Sequence, residues 1–299
     1  MSLGGEEEPR HDPGRTPGAE RRESASRGFS PLLALFALLL LALLAVAALL
    51  VWRSLGDELS GTSVTSDAVD SGAVPRVRVA NGAGKVRVEG VDGLDAVEYE
   101  VTRYALGPDP AAAKQNASQV PVDLSREDST IVLQTDGGTG TGADYALRVP
   151  AAGALEVEAG AGDVEVSGVS GEVRVVAEAG DVTVRNTGSD VAVESPQGDV
   201  TVDDVNTDTG QVELEVGAGD LALRNLIVGT LEASVESGDV TLSGRFSGSG
   251  RIFVETGGIT ANLPPEDTRE LTLETPVGNV VRETPAGDEG RPEDGAEGS

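Results

Sequence analysis

The sequence predicts an all-β protein whose main domain is a single-stranded parallel β-solenoid, or β-helix, preceded by one transmembrane α-helix. A repeated phrase, the alternation of apolar and polar residues within it, and one long uncharged segment predict this fold. The phrase, Gly-Asp-Val-x-Val with two degenerate last copies, begins at seven positions: Gly162, Gly180, Gly198, Gly219, Gly238, Gly257 and Gly278. Successive starts are 18, 18, 21, 19, 19 and 21 residues apart, and a period near 20 is typical of solenoids.

Each predicted coil of about 18–21 residues consists of two short strands and two bends. A second alternating phrase, such as Gly-Glu-Val-Arg-Val at Gly171, lies between copies of the first. Alternation with period two is typical of strands, and Gly-Asp pairs are turn residues. Equivalent strands should pair in parallel about 4.8 Å apart, which stacks valine and leucine into buried columns. A further inward corner is expected at five positions: Val169, Thr187, Val205, Leu226 and Phe246.

The N-terminal segments are expected to anchor this solenoid to a membrane. Residues 1–30 are rich in glycine, proline and charge, which predicts a disordered cytoplasmic tail. Residues 31–52 are 22 uncharged residues, about 33 Å long as a helix, and predict a transmembrane helix; a cleaved signal peptide is the alternative. Arginines cluster before this segment, so the positive-inside rule predicts a single-pass protein of the cell membrane with its N-terminus in the cytoplasm and its solenoid outside.

The rest of the chain divides into four predicted segments. They are a linker at 53–75, N-terminal strands and a cap with a short helix at 76–150, the solenoid repeats at 151–282, and a disordered acidic tail at 283–299. A cap is needed because a terminal coil exposes an unpaired strand edge. Within it, residues 81–84 predict a hairpin turn. Asp109 followed by Pro110 predicts the N-cap and first residue of the helix.

Composition excludes several kinds of active site from the predicted folded domain. The chain has no cysteine, and its one histidine, His11, precedes the apolar segment. Thiol chemistry and histidine-dependent nucleophilic catalysis are therefore excluded there. Residues 138–142 (Gly-Thr-Gly-Thr-Gly) resemble a phosphate-binding loop only in composition. We expect no enzymatic activity and no cofactor; a polysaccharide-active β-helix enzyme is an alternative that would need long loops to shape a groove.

A column of aspartates is the candidate site. Stacked coils would place one carboxylate per coil in line: Asp163, Asp181, Asp199, Asp220 and Asp239. Neighbouring carboxylates about 4.8 Å apart repel by about 0.9 kcal/mol in water, so a compensating interaction is required. Hydrogen bonds from turn N–H groups are the expected compensation. A divalent cation bound between these carboxylates is the alternative, although one carboxylate per coil is a thin oxygen shell for Ca²⁺.

The charge of the chain limits its partners. The formal net charge is −29 and aromatic residues make up 3% of the chain. This charge disfavours nucleic acid and anionic lipid headgroups as partners, and the scarcity of aromatic residues gives no visible sugar-stacking platform. The expected partner is an envelope protein or a surface ligand, besides the membrane itself through residues 31–52. The oligomeric state is left open.

The order of the motifs resembles one known family. Leu-Arg-Val-Pro at 147–150 precedes the repeats and Leu-Pro-Pro at 263–265 follows most of them. With the repeats between, this order resembles the DUF4097 family of proposed adhesins, related to DUF2807, over about residues 74–282. The resemblance implies an envelope-associated prokaryotic β-solenoid without catalytic residues to carry over. Adhesion or envelope scaffolding is therefore the expected function; an accessory sensor of an envelope-stress signalling system and a polymerising solenoid are alternatives.

Overall fold

The structure of the protein is a computed structural model that describes residues 59–72, 75–264 and 271–283. The strands in these ranges are β1 (Leu59–Asp70), β2 (Arg76–Ala83), β3 (Val86–Val91), β4 (Ala96–Gly107), β5 (Asp123–Glu127), β6 (Thr130–Thr135), β7 (Thr141–Pro150), β8 (Ala154–Ala161), β9 (Val164–Ser167), β10 (Val173–Ala179), β11 (Val182–Thr187), β12 (Val191–Gln197), β13 (Val200–Ala218), β14 (Leu221–Ser237), β15 (Val240–Thr256), β16 (Ile259–Asn262), β17 (Leu271–Glu274) and β18 (Val280–Glu283). One helix, α1 (Pro110–Gln119), lies between β4 and β5.

The predicted membrane segment at 31–52, the N-terminal tail before it and almost all of the acidic tail lie outside the described residues. Within the described ranges, no helix is long and apolar enough to cross a membrane.

Parallel pairing of equivalent strands builds the predicted β-solenoid. One wall stacks in the order β6-β2-β8-β10-β12-β13-β14-β15-β17. The other wall stacks in the order β7-β3-β9-β11-β13-β14-β15-β16-β18. Val182 pairs with Val164 on one side and with Val200 on the other. Equivalent residues of successive repeats are therefore neighbours, as the repeat predicts.

The coils change shape along the axis. From β13 onward, single long strands run through the corner between the two walls. The residues after that corner form a third paired segment, in which Asn206 pairs with Ile227 and Ile227 pairs with Arg245. The later repeats are 19–21 residues long and the earlier ones 18, so the added residues supply this segment.

The core consists of the predicted apolar columns. The first valine or leucine of each repeat strand from Val164 to Val240 is at most 1% exposed. Val169, Val205 and Leu226 at the corner are fully buried, which confirms their inward orientation. Thr187 occupies the same column and is buried, and its hydroxyl has no hydrogen-bond partner among the described residues. The side chain of Phe246 is outside what the structure describes.

The segment predicted as a hairpin at 81–84 is instead the corner of a coil. Strands β2 and β3 pair in parallel with neighbouring coils, and Val86 lies opposite Val164. Gly84 has a φ of 118°, so it turns the chain as the repeat glycines do. After β3 the chain leaves the solenoid to form β4, α1 and β5. It returns as β6 and β7, which pair with β2 and β3 on the side opposite to β8 and β9. The β2–β3 coil is thus inserted between β6–β7 and β8–β9.

Antiparallel strands and the helix form the cap. β4 pairs with β7 and with β1, and β5 pairs with β6, so the strand edges at this end of the solenoid are covered. Helix α1 packs on β1 and β4, and the Asp109 carboxylate accepts the Ala112 N–H at 2.8 Å, as an N-cap should. The close contact requires glycine on both strands: a Cβ on Gly61 or Gly107 would lie 2.2 Å or 2.4 Å from the helix backbone.

Strand β1 lies within the 53–75 segment for which the sequence predicts a linker. All of its twelve residues pair with β4, from Leu59 opposite Gly107 to Asp70 opposite Ala96. The strand is rich in serine, threonine and aspartate. Its pairing depends on backbone hydrogen bonds, not on an alternating apolar face, so the pattern that identifies the repeats is absent from it.

Val200→Asp should destabilise the solenoid strongly. Val200 is fully buried between Val182 and Leu221, so the aspartate would place an unpaired charge in the core and separate two coils. We expect a loss of at least about 3 kcal/mol of unfolding free energy, measured by urea denaturation followed by circular dichroism. Thr201→Asp adds the same charge one residue later on the outer face and should change stability by less than about 0.5 kcal/mol. Equal stability of the two variants would contradict the register.

Candidate functional site: the aspartate column and the amide groove

The aspartate column is set by the close stacking of the repeat turns. The glycine before each aspartate has a positive φ, for example 127° at Gly180 and 129° at Gly198. A Cβ on Gly198 would lie 2.1 Å from the carbonyl oxygen of Gly180. Glycine is therefore required by both the backbone conformation and the contact between coils. Because every turn stacks in this way, the five predicted aspartates form the expected single-file column.

Each carboxylate in the column accepts a backbone hydrogen bond from the next coil. The Asp181 Oδ1 atom accepts the Asp199 N–H at 3.0 Å, and the Asp199 Oδ1 atom accepts the Asp220 N–H at 2.8 Å. Asp220 accepts the Asp239 N–H at 2.9 Å, and Asp163 accepts the Asp181 N–H at 3.4 Å. Asp239 accepts the Gly258 N–H at 2.7 Å. A charge-assisted hydrogen bond contributes about 1.5–3 kcal/mol, which is enough to offset repulsion of about 0.9 kcal/mol per pair.

These bonds fulfil the expectation that turn N–H groups stabilise the column, with one refinement. The donor belongs to the following coil, 18–21 residues away, and not to the same turn. The column therefore holds successive coils together. Among the described residues, no group of three or more histidine, cysteine, aspartate or glutamate side chains is placed to hold a metal ion. A cation bound between the carboxylates stays the alternative to the expected hydrogen bonds.

The column extends beyond the predicted aspartates because of the inserted coil. The Asp144 Oδ1 atom accepts the Lys85 N–H at 2.8 Å, and the Lys85 Nζ atom lies 2.8 Å from the Asp163 Oδ2 atom. The hydrogen bond from Lys85 is the main cause that lowers the pKa of Asp163, and the same bond raises the pKa of Lys85. The sequence indicates Asp144 only weakly, since Thr-Gly-Ala-Asp-Tyr-Ala-Leu is an imperfect copy of the repeat.

A second feature, which we call the amide groove, has no counterpart in the sequence predictions. It is an open groove of about 780 Å³ along the corner where the second wall ends. Its lining residues lie at three places along the corner. Ser243 and Asn262 lie at the end of the wall, and Asn186, Asp204 and Asn225 lie at the bend. The residues just after the bend are Asn206, Leu226, Ile227, Gly244, Arg245 and Pro264. Four of these residues carry side-chain amides, which can both donate and accept hydrogen bonds.

The bend that shapes the groove is made by residues in the left-handed conformation. Asn186, Asp204 and Asn225 have φ values of 52°, 55° and 51°, and Gly168 takes the same bend with a φ of 71°. Asparagine, aspartate and glycine are the residues that adopt this region most readily. Such a residue recurs two positions after the repeat motif in four consecutive copies, and this recurrence is a signal from which the bend was predictable. The Asn225 Nδ2 atom also donates to the Asp203 Oδ1 atom at 3.0 Å.

Comparison with known proteins identifies a family. The model of the Toastrack DUF4097 family matches residues 74–297. No curated protein matches the sequence of this chain. Solved structures of two proposed adhesins are similar to it. The protein from Bacteroides fragilis NCTC 9343 has 14% identity and a TM-score of 0.46, with 74% of this chain and 97% of that chain covered. The protein from Parabacteroides distasonis ATCC 8503 has 18% identity and a TM-score of 0.40, with the same coverage of both chains.

Asp199→Asn should preserve the fold, whereas Asp199→Leu should weaken it. Asparagine keeps an oxygen that can accept the Asp220 N–H and removes one repelling charge, so the melting temperature should change little, or rise at low salt. Leucine removes the acceptor and should cost about 1–2 kcal/mol. Thermal unfolding with and without millimolar CaCl₂ tests both accounts, with the exposed Glu213→Gln as control. A calcium-dependent rise of several degrees, lost only in the Asp199 variants, would assign the column to metal binding.

The ion pair between Lys85 and Asp163 should give a defined pH dependence. The pKa of Asp163 is lowered in the folded protein, so its carboxylate adds to the free energy of unfolding. This contribution is complete above the unfolded pKa of about 3.9 and disappears as the pH falls through the lowered folded pKa. The pKa of Lys85 is raised in the folded protein, so its charged form adds to the free energy of unfolding. This contribution is complete below about pH 10.4 and is lost as the pH rises through the raised folded pKa.

Lys85→Met should therefore be less stable than the wild type by a small, constant amount between about pH 5 and 9. The difference should vanish at strongly acidic and strongly alkaline pH. Urea denaturation midpoints across the pH range measure it. Lys114→Met removes the other lysine of the chain, which is exposed on α1, and should not change the pH profile. A profile of Lys85→Met parallel to that of the wild type throughout would show that the pair contributes nothing.

Proposed function

Because the chain belongs to the Toastrack DUF4097 family, we propose that it is a non-enzymatic, membrane-anchored protein. In this proposal the β-solenoid lies outside the cytoplasm and acts in adhesion or as a scaffold of the cell envelope. Residues 31–52 provide the anchor, and the arginines before them favour a cytoplasmic N-terminus.

The observation that carries this proposal is the long, regular polar surface of the two walls. Nine stacked strands per wall extend about 38 Å along the axis at about 4.8 Å per coil. Large exposed apolar side chains in the described ranges are few: Val64, Leu124, Val277, Val280 and Val281. A surface of this kind presents the same polar groups repeatedly, which suits contacts that are individually weak and numerous.

The absence of enzymatic activity in this proposal has its own support. The titratable side chains with clearly shifted pKa values are accounted for by structure. Asp163 is paired with Lys85, and burial in the solenoid raises the pKa of Tyr145, whose hydroxyl also bonds to Thr135. Within the described residues, these groups form no nucleophile–base arrangement. The carboxylates of the column are bound to backbone N–H groups, so they are poorly placed to act as acid and base.

Single-cysteine labelling tests the predicted topology, on which both adhesion and extracytoplasmic scaffolding depend. The chain has no cysteine, so one can be introduced without background. Ser249→Cys on an exposed position of the solenoid should react with a membrane-impermeant maleimide on intact spheroplasts. Ser24→Cys, before the apolar segment, should react only after permeabilisation. Labelling is measured by mass shift on gels.

The reverse labelling pattern would place the solenoid in the cytoplasm and end both forms of the proposal. It would favour a cytoplasmic regulatory or scaffolding role instead. Labelling of both cysteines on intact spheroplasts would show that the segment at 31–52 does not hold the chain across the membrane.

A further inference from the structure

We propose that the amide groove is a binding site for an extended, uncharged glycan that lies along the solenoid axis. The proposal deepens the proposed function, since it requires the solenoid to be outside the cytoplasm and names the class of ligand that it would meet there.

The groove has the length and period of a linear ligand. Its lining residues come from five successive coils, from Asn186 on β11 to Asn262 on β16. At about 4.8 Å per coil, these positions span about 19 Å. An extended chain of pyranose sugars advances by a similar distance per sugar, so each coil can meet one sugar. The volume of about 780 Å³ lies within the usual range for ligand sites.

The polar groups of the groove match hydroxyl groups. Asn186, Asn206 and Asn262 each offer an N–H₂ donor and a carbonyl acceptor, as required for sugar hydroxyls that donate and accept. Asn225 already donates one N–H to Asp203 and keeps its second N–H and its carbonyl oxygen for a ligand. The strands after the bend are already paired with each other, Asn206 with Ile227 and Ile227 with Arg245. Side chains are therefore the main hydrogen-bonding groups that remain for a ligand. An extended peptide would gain most from unpaired backbone at a sheet edge, so the arrangement favours a glycan over a peptide.

The charge of the groove favours a neutral ligand. Among its described lining residues, Asp204 and Arg245 are the two that are charged, and their charges are opposite. The groove is thus locally balanced in a chain with a net charge of −29, which would repel a polyanion at a distance. Ile227 and Pro264 are half-buried and supply apolar surface for the C–H faces of sugar rings.

Titration calorimetry on the full chain in detergent micelles tests the proposal with defined probes. The probes are the tetrasaccharides of β-1,4-linked N-acetylglucosamine, β-1,4-linked glucose and α-1,4-linked glucose, together with their disaccharides. At least one tetrasaccharide should bind with a micromolar to millimolar Kd. Its Kd should be at least about ten-fold lower than that of the matching disaccharide, because a disaccharide reaches fewer coils.

Replacing groove amides should weaken binding without unfolding the protein. Asn206 is exposed and its side chain makes no hydrogen bond with any residue that the structure describes, so Asn206→Leu leaves no described partner unsatisfied. Each of Asn206→Leu and Asn262→Leu should raise the Kd by roughly five-fold, and the double variant by more. Asn279→Leu removes an exposed amide outside the groove and should leave the Kd unchanged. Melting temperatures confirm that all variants are folded.

Three results would overturn the glycan proposal. The first is that no tetrasaccharide gives a heat of binding. The second is that Asn206→Leu and Asn279→Leu change the Kd equally. The third is that neutral extended decapeptides bind and the sugars do not. Cell adherence separates this proposal from the proposed function. Adherence that is lost on deletion of 59–283 but unaffected by the double variant would retain adhesion and reject the groove as its glycan site. If the deletion does not change adherence, adhesion is rejected as the function of the protein. The calorimetric result would then still show whether the groove binds a glycan.

Discussion

The stacking of glycine on glycine at the repeat turn is the constraint on which the rest of the solenoid depends. A Cβ on any of the later repeat glycines would come within about 2.4 Å of the carbonyl oxygen one coil back, for example 2.1 Å at Gly219. Because the turns can approach this closely, each following strand begins directly over its equivalent. Valine then stacks on valine, and carboxylates lie within reach of the next coil's N–H groups. A slip by one residue would reverse the inward and outward faces of an entire strand.

The aspartate column and the amide groove differ in how many side-chain hydrogen-bonding groups remain unpaired. In the aspartate column, carboxylate oxygens are bound to backbone N–H groups of the next coil, as Asp199 is to Asp220. In the amide groove, Asn206 and other exposed side chains retain hydrogen-bonding capacity. The regular turn therefore contributes to cohesion between coils, whereas the less regular corner is better suited to recognition. The acidic residues lie mainly on the walls and at the turns, whereas within the groove the negative charge of Asp204 is balanced by the positive charge of Arg245.

The sequence predicts those parts of the fold that repeat. Gly-Asp-Val-x-Val alone establishes the parallel register, the buried columns and the line of aspartates, because one local pattern specifies both the turn and the strand. Strand β1 was not predicted because it has no alternating apolar face. The inserted β2–β3 coil was missed because Asn81–Gly84 resembles a hairpin turn, and spatial order cannot be inferred from adjacency in the chain. The amide groove depends on a bend shared by Asn186 and Asn225, whose signal is conformational preference and not hydrophobicity.

The insertion of the β2–β3 coil has a consequence for the order in which the protein folds. This coil precedes all the other coils in the chain, yet its partners on one side come about 80 residues later, as the contact between Arg78 and Glu158 shows. Closing so long a loop is entropically costly before any contact compensates for it. The repeats after β8, whose contacts join segments about 20 residues apart, can form with far smaller loops. Folding is therefore expected to begin in the middle of the chain and extend toward the C-terminus, with the N-terminal end completed last.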